Sequence, residues 1–210
     1  MRLLTRDMDL LKSCEENISN IFDVLRELLN ATVQKLTAVL PKEDNSTSVA
    51  ITVEVLSILK RLCKNFDLIE FFRSNKSFSV IADLIVVNHP LVLKTLLDFL
   101  YSFFEKTEGK EMFVEEFAQI FYISKLLFVC EKYDDGFKVP AINLLTRVMD
   151  FKIVQDNFRR IRGVGVLVTQ LRKNQNNLAL KISCLNCMYK LIQRTEIVYD
   201  FKVFGIVPIL

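Results

Sequence analysis

The sequence predicts an all-α protein, a helical solenoid of four to five repeats, and three observations carry that reading. A local design recurs about 42 residues apart, in Asn157 to Val168 (NFRRIRGVGVLV) and Tyr199 to Leu210 (YDFKVFGIVPIL). Each copy has apolar residues on one helical face, then a glycine (Gly163, Gly205), then a new apolar run. A period in that range marks stacked helical units, none of which can bury its apolar face alone. Composition agrees: 5 Gly and 4 Pro in 210 residues are too few breakers for a many-stranded architecture. Finally, four longer segments place apolar residues at i, i+3, i+4 and i+7, the pattern of a buried helix face.

In chain order, the first of these segments is Val49–Lys64, introduced by the turn-forming run Pro41 to Ser48. Before Phe72 it is the only clear element. Phe72 to Ala82 (FRSNKSFSVIA) is a short copy of the glycine-hinged design, and Leu91–Lys106 follows it behind Asn88-His-Pro90. Phe117 to Leu127 is the next copy, aligning with Phe158 to Val168 about 41 residues on. Tyr122 and Ser77 then stand at the positions held by glycine later in the chain. Phe137–Lys152 is preceded by Tyr133-Asp-Asp-Gly136, and Asn177–Gln193 by Asn174-Gln-Asn-Asn177. Asn, Asp and Ser cap helix N-termini, and Pro90 suits a first helical turn. No linker interrupts the series, so residues 1–210 read as one domain.

The unit of short helix, medium helix, capped loop and long helix resembles the armadillo repeat, with HEAT repeats as the near neighbour. The third-helix stretches that carry the resemblance are Ile58-Leu-Lys-Arg61-Leu-Cys63, Phe99-Leu-Tyr-Ser102-Phe-Phe104, Leu144-Leu-Thr-Arg147-Val-Met149 and Cys187-Met-Tyr-Lys190-Leu-Ile192. The resemblance implies a right-handed superhelix with the third helices lining a concave surface. It also implies a binding role for one polar position of that helix, where peptide-binding members carry an Asn that clamps an extended peptide. Here that position holds Arg61, Ser102, Arg147 and Lys190, and the chain has no Trp. The departure argues against binding a basic localisation signal, as nuclear-import receptors do.

Two readings of those four positions compete. One is a ladder of cationic groups suited to carboxylates or phosphates, for which Arg offers a bidentate fork. The other is an ordinary solvated face, on which long basic side chains lie over apolar neighbours.

Charge is uneven. Residues 1–105 hold 12 Lys/Arg and 14 Asp/Glu, net −2; residues 106–210 hold 16 and 11, net +5. From Asn157 to Thr195 there are eight basic residues and no acidic one. Arg159, Arg160, Arg162, Arg172, Lys173 and Lys181 form the candidate basic patch, with Lys190 and Arg194 beyond it. A nucleic-acid role is disfavoured because no recognised motif is present and the residues fall on three successive helices.

Catalytic and metal chemistry find no support. Cys184-x-x-Cys187 lies mid-helix with no second pair, whereas zinc needs about four ligands. The five cysteines are odd in number and irregularly spaced, which argues against a disulfide framework. His89 is the only histidine, and a capping role before Pro90 is its more economical reading. Gly163-Val-Gly165 lacks the context of a phosphate loop. The pairs Glu115/Glu116 and Asp134/Asp135 read as diverging or capping acids. Six phenylalanines, Phe71, Phe72, Phe99, Phe103, Phe117 and Phe121, are assigned to the core between repeats.

No apolar run approaches the roughly 18 residues that span a bilayer, and Arg6, Asp7 and Asp9 break the N-terminal stretch as a signal peptide. The expectation is a soluble cytoplasmic or nuclear protein with no cofactor, no metal, no catalysis, no membrane partner and no small-molecule substrate. It is expected to be a scaffold that holds an acidic or phosphorylated segment of a protein partner. The alternative is a structural segment of a larger assembly, contacted through its ends. Ile206 to Leu210 read as the start of an unfinished second helix, which predicts a longer solenoid or a partner covering that end.

Overall fold

The computed structural model describes residues 2–37, 46–63, 68–75, 77–87, 89–105, 109–174 and 176–205, with side chains from residue 20 onward except 70, 74, 75 and 77. Among these residues the protein is all helix, with no strand. The helices are α1 (Arg2–Thr37), α2 (Ser46–Leu62), α3 (Ile69–Asn75), α4 (Ser77–Asp83, extended by a 3₁₀ turn at Leu84–Val86), α5 (Pro90–Phe103) and α6 (Glu111–Phe117). They continue as α7 (Ile120–Lys132), α8 (Asp135–Val148), α9 (Lys152–Arg160), α10 (Gly163–Lys173), α11 (Leu178–Leu191) and α12 (Thr195–Val203). No helix among the described residues is long and apolar enough to cross a membrane.

The packing order shows the repeat. The long helices form one layer in which α2 packs on α5, α5 on α8 and α8 on α11. In a second layer α1 packs on α4, the 3₁₀ turn on α7, and α7 on α10. Of the short helices, α9 touches both α7 and α10 of that layer, α6 touches α4 and α9, and α12 touches α10. Three three-helix units therefore follow one another, α3–α5, α6–α8 and α9–α11, with α1 and α2 before them and α12 after. Side-chain bonds between units keep the same interval. Lys60 donates to Asp98, Tyr122 to Asp83, Asn157 to the Ala118 carbonyl, Arg159 to Asp200 and Asn177 to Asp135, spanning 38 to 42 residues.

Aromatic rings weld the first two complete units. Phe72, Phe78, Phe99, Phe103, Phe113 and Phe117 are fully buried, with centroids 5.1 Å apart for Phe72 and Phe103 and 5.2 Å for Phe78 and Phe113. Aromatic pairs at such distances contribute about 0.5–1.5 kcal/mol each beyond their burial. Phe71 is buried as expected, but Phe121 is not. It is 50 % exposed on the outer face of α7, with the Lys125 ammonium 5.7 Å from its ring centre.

The helix ends bear out two expected caps and correct the reading of His89 and Tyr122. Asp134 and Asn177 cap α8 and α11, accepting from the Gly136 and Leu180 amides at 2.9 and 3.0 Å. His89 occupies the N-cap position of α5 with extended backbone, yet its side chain accepts no capping bond and its Nδ1 is buried without a partner. Tyr122 is not at a hinge: α6 ends at Phe117, the turn is Ala118–Gln119, and Tyr122 is buried in the first turn of α7.

The two glycines that reveal the repeat do different work. The left-handed residue closing α12 is Gly205 (φ 68°), whereas the one closing α9 is Arg162 (φ 59°), one residue before Gly163. The units thus superpose at an interval of 43, Phe158 on Phe201 and Arg162 on Gly205. Gly163 is required for space, since a Cβ there would lie 2.5 Å from the Phe158 ring.

Before Val49 the sequence offers no copy of the repeat to align, yet α1 runs there for 36 residues. The turn residues Pro41 to Asn45, Asn88 and Gln175, and the closing Ile206 to Leu210, lie outside the described residues, as does the side chain of Ser77.

Candidate functional site

Arg61, Ser102, Arg147 and Lys190 are each the last residue but one of their helix, in α2, α5, α8 and α11. The shared register follows from the long helices ending alike. It also gives the cations a local cause. The last carbonyls of a helix have no intrahelical donor, and a positive side chain in the last turn stabilises them by about 0.3–1 kcal/mol.

The four are not equivalent. Arg61 is exposed and has no ion-pair partner among the described residues. The Ser102 hydroxyl donates to the Asp98 carbonyl one turn back, at 3.0 Å. Arg147 is half-buried, its guanidinium 4.7 Å from the Tyr101 ring centre and donating to the Tyr101 hydroxyl at 2.7 Å. Lys190 is paired with Asp150 of the preceding unit. A run of cations therefore narrows to Arg61 and Arg147, with Ser102 self-satisfied and Lys190 neutralised.

Arg147 and Lys190 share a depression of 570 Å³ where α11 follows α8, with Tyr101 of α5 at its edge. Asn143, Asn186 and Tyr189 also line it. The Thr146 and Ser183 hydroxyls there are bonded to their own helices, at 2.8 and 3.0 Å. Asn143 and Asn186 make no such bond among the described residues, so each offers a donor and an acceptor. They stand four residues before Arg147 and Lys190, one turn along the same face. This pair is not among the positions that the third-helix resemblance singles out. The signal was available as a column of polar residues, Ser57, Asp98, Asn143 and Asn186, at that fixed offset.

The basic patch is dispersed by the fold. Arg159 forms a two-point bond to Asp200 at 2.6 and 3.3 Å, and with Arg162 lines a cleft beside Val203 and Phe204. Arg172 donates to the Phe204 and Gly205 carbonyls at 2.9 and 2.8 Å, tying the end of α12 to α10. Arg172 and Lys173 line a different cleft with Asp135, Asn174, Asn176 and Asn177. Arg160 and Lys181 line neither, and neither they nor Arg162 and Lys173 have an ion-pair partner among the described residues.

Cys130, Cys184 and Cys187 are buried free thiols. Burial pushes the Cys184 and Cys187 thiols up to about 12 and Cys130 well above its ordinary value. All three are protonated at neutral pH, as thiols packed among apolar side chains are. Among the described residues no group of three or more His, Cys, Asp or Glu is placed to hold a metal ion. Gly163 and Gly165 accommodate the Phe158 and Phe204 rings, a Cβ on Gly165 falling 2.8 Å from the latter. Asp134 caps, Asp135 accepts from Asn177 at 2.6 Å, Glu115 is exposed, and burial raises the pKa of Glu116.

No protein-family model matches the chain, and no curated protein is significantly similar to it.

Proposed function

We propose that the chain is a right-handed, armadillo/HEAT-like α-solenoid that acts without catalysis as a protein-interaction scaffold. It holds an extended segment of a partner protein along the layer of long helices, in the cytoplasm or nucleus. The observation that carries this reading is the depression lined by Asn143, Asn186, Tyr101, Arg147 and Tyr189. Paired amides at a one-unit spacing suit the alternating donors and acceptors of an extended backbone, and the two tyrosines supply flat apolar walls. The Arg147 guanidinium, held against Tyr101, has further N–H groups for a carboxylate or phosphate on the bound segment. Arg61 stands two long helices before Arg147 at the same register and provides a second cationic contact for a longer segment.

The test is an array of extended peptides, each in acidic, phosphorylated and neutral versions, probed with wild-type protein and with Asn143→Ala/Asn186→Ala and Arg147→Glu. The reading expects selective capture of acidic or phosphorylated peptides. The amide pair lowers all binding, and Arg147→Glu abolishes the preference for negative charge. Equal capture by all three proteins removes the groove from consideration.

A further inference from the structure

We propose that the segment held in the groove is built of alternating apolar and anionic residues, because the depression between α8 and α11 offers those two contacts on opposite sides of its amide pair. This rests on the groove reading and specifies its ligand. Each helix carries the same triplet at one-turn intervals, Val139, Asn143 and Arg147 on α8 and Ile182, Asn186 and Lys190 on α11. All six line the depression. Four residues advance a helix by about 6 Å and return the side chain to nearly the same face. One turn toward the helix N-termini, the amides are therefore flanked by an apolar row, to which Ala179 adds. One turn toward the C-termini they are flanked by a cationic row.

An extended chain crossing both helices on the amide row takes its backbone bonds there, and its successive side chains point to opposite edges. One set meets Val139 and Ile182, and the other meets Arg147 and Lys190. Neighbouring helices lie about 8–10 Å apart, or about three extended residues, so a segment spanning both helices reaches both edges. Charge in the depression is of one sign. Arg147 and Lys190 are the charged residues among those lining it, and neither Glu54 nor Glu105 is among them. The Asp150 carboxylate is paired with Lys190, whereas Arg147 pairs with no carboxylate among the described residues and is the main anionic contact. The α8 triplet is bounded on both sides, since α8 packs on α5 as well as on α11. On α2 the same registers hold Val53, Ser57 and Arg61, again apolar, polar and cationic. On α5 they hold Lys94, Asp98 and Ser102, with Asp98 paired to Lys60 at 2.9 Å. The alternation is therefore read at α8 and α11, and α5 ends it on that side.

Fluorescence anisotropy of the full chain with labelled octapeptides tests this. The peptides are valine alternating with glutamate, the same residues in two blocks, valine alternating with serine, serine alternating with glutamate, and valine alternating with lysine. The alternating valine–glutamate peptide is expected to bind about tenfold tighter than the blocked, valine–serine and serine–glutamate peptides. The valine–lysine peptide is expected not to bind, because Arg147 and Lys190 repel like charge. Protein variants assign the edges. In Arg147→Gln the valine–glutamate peptide loses most of its advantage over valine–serine and keeps its advantage over serine–glutamate. In Val139→Thr, which retains the branched shape, the reverse holds. Circular dichroism checks that both variants fold, and the ranking of peptides on the wild type stands without them. Equal binding of the alternating and blocked peptides overturns the inference and leaves the groove reading in place; capture of none of the peptides overturns both.

Discussion

Gly163 opens α10 against the ring of Phe158, and the geometry there sets a measurable cost for a single methyl group. A Cβ on Gly163 falls 2.5 to 2.6 Å from three ring carbons, whereas carbon contacts settle at about 3.5–4.0 Å. The ring must retreat by about 1 Å, and Phe158 has no exposed surface, in an interior packed like an organic crystal. Overpacking of this kind costs about 1–3 kcal/mol. Replacing glycine by alanine inside a helix returns up to about 1 kcal/mol. The steric term wins, and Gly163→Ala is expected to lose about 1–2 kcal/mol net. In a Phe158→Leu background the clash is absent, so alanine becomes neutral or mildly stabilising. Urea unfolding of the four proteins by circular dichroism gives the coupling energy directly. The m-values must be compared as well, because stacked units can unfold in parts. Should Gly163→Ala be as stable as wild type, or cost the same in both backgrounds, the close-approach account of this glycine is wrong.

Three further outcomes are expected. Arg162→Gly stabilises the protein by about 1 kcal/mol and Gly205→Ala destabilises it by about 1–2, because both positions have the left-handed backbone that L side chains resist; thermal melts with the two changes in opposite directions check this. The buried thiols make stability fall in alkali. The folded values of Cys184 and Cys187 are raised to about 12 from an ordinary 9.0, so their contribution is complete below about pH 9 and is lost as pH climbs toward 12, the unfolded chain ionising first. Comparing the alkaline slope of wild type with that of Cys184→Ala/Cys187→Ala measures the effect, and iodoacetamide is expected to spare both thiols until the chain is unfolded. In the groove, Arg147→Glu is expected to weaken an anionic peptide by tenfold or more and Lys190→Glu by less, since Asp150 already neutralises Lys190; fluorescence anisotropy with a labelled acidic peptide ranks the two.

The helical class, the four long helices and their common register were legible in the sequence because each rests on a local cause. Apolar periodicity, Asp134 and Asn177 as caps, and Pro90 in a first turn act within a few residues of themselves. The 36-residue α1 escaped because it offers a long amphipathic run with no matching copy to align against. Phe121 was misplaced because its neighbours Tyr122 and Ile123 are the buried ones, and a shift of one residue turns a helical side chain about 100°. Tyr122 was put at a hinge because the Ala118–Gln119 turn carries no glycine.

The candidate site was half legible. The register picked out Arg61, Ser102, Arg147 and Lys190, and the structure does place them alike at the ends of successive long helices. Their state was hidden, since Asp150 lies 40 residues from Lys190 and Tyr101 lies 46 from Arg147. The Asn143 and Asn186 amides went unnoticed for a similar reason: an asparagine is remarkable only once its neighbours are known to leave it unbonded.

By itself the sequence determined that this chain is helical, where its long helices run and that they recur at about 42 residues, because hydrophobic period and capping chemistry are written in adjacent residues. The tertiary structure decided which helices touch and which charges are neutralised. It alone separated Gly205, needed for its left-handed backbone, from Gly163, needed for the space beside Phe158. Those outcomes depend on residues a whole unit apart, and only the stacking of one unit on the next brings them within reach.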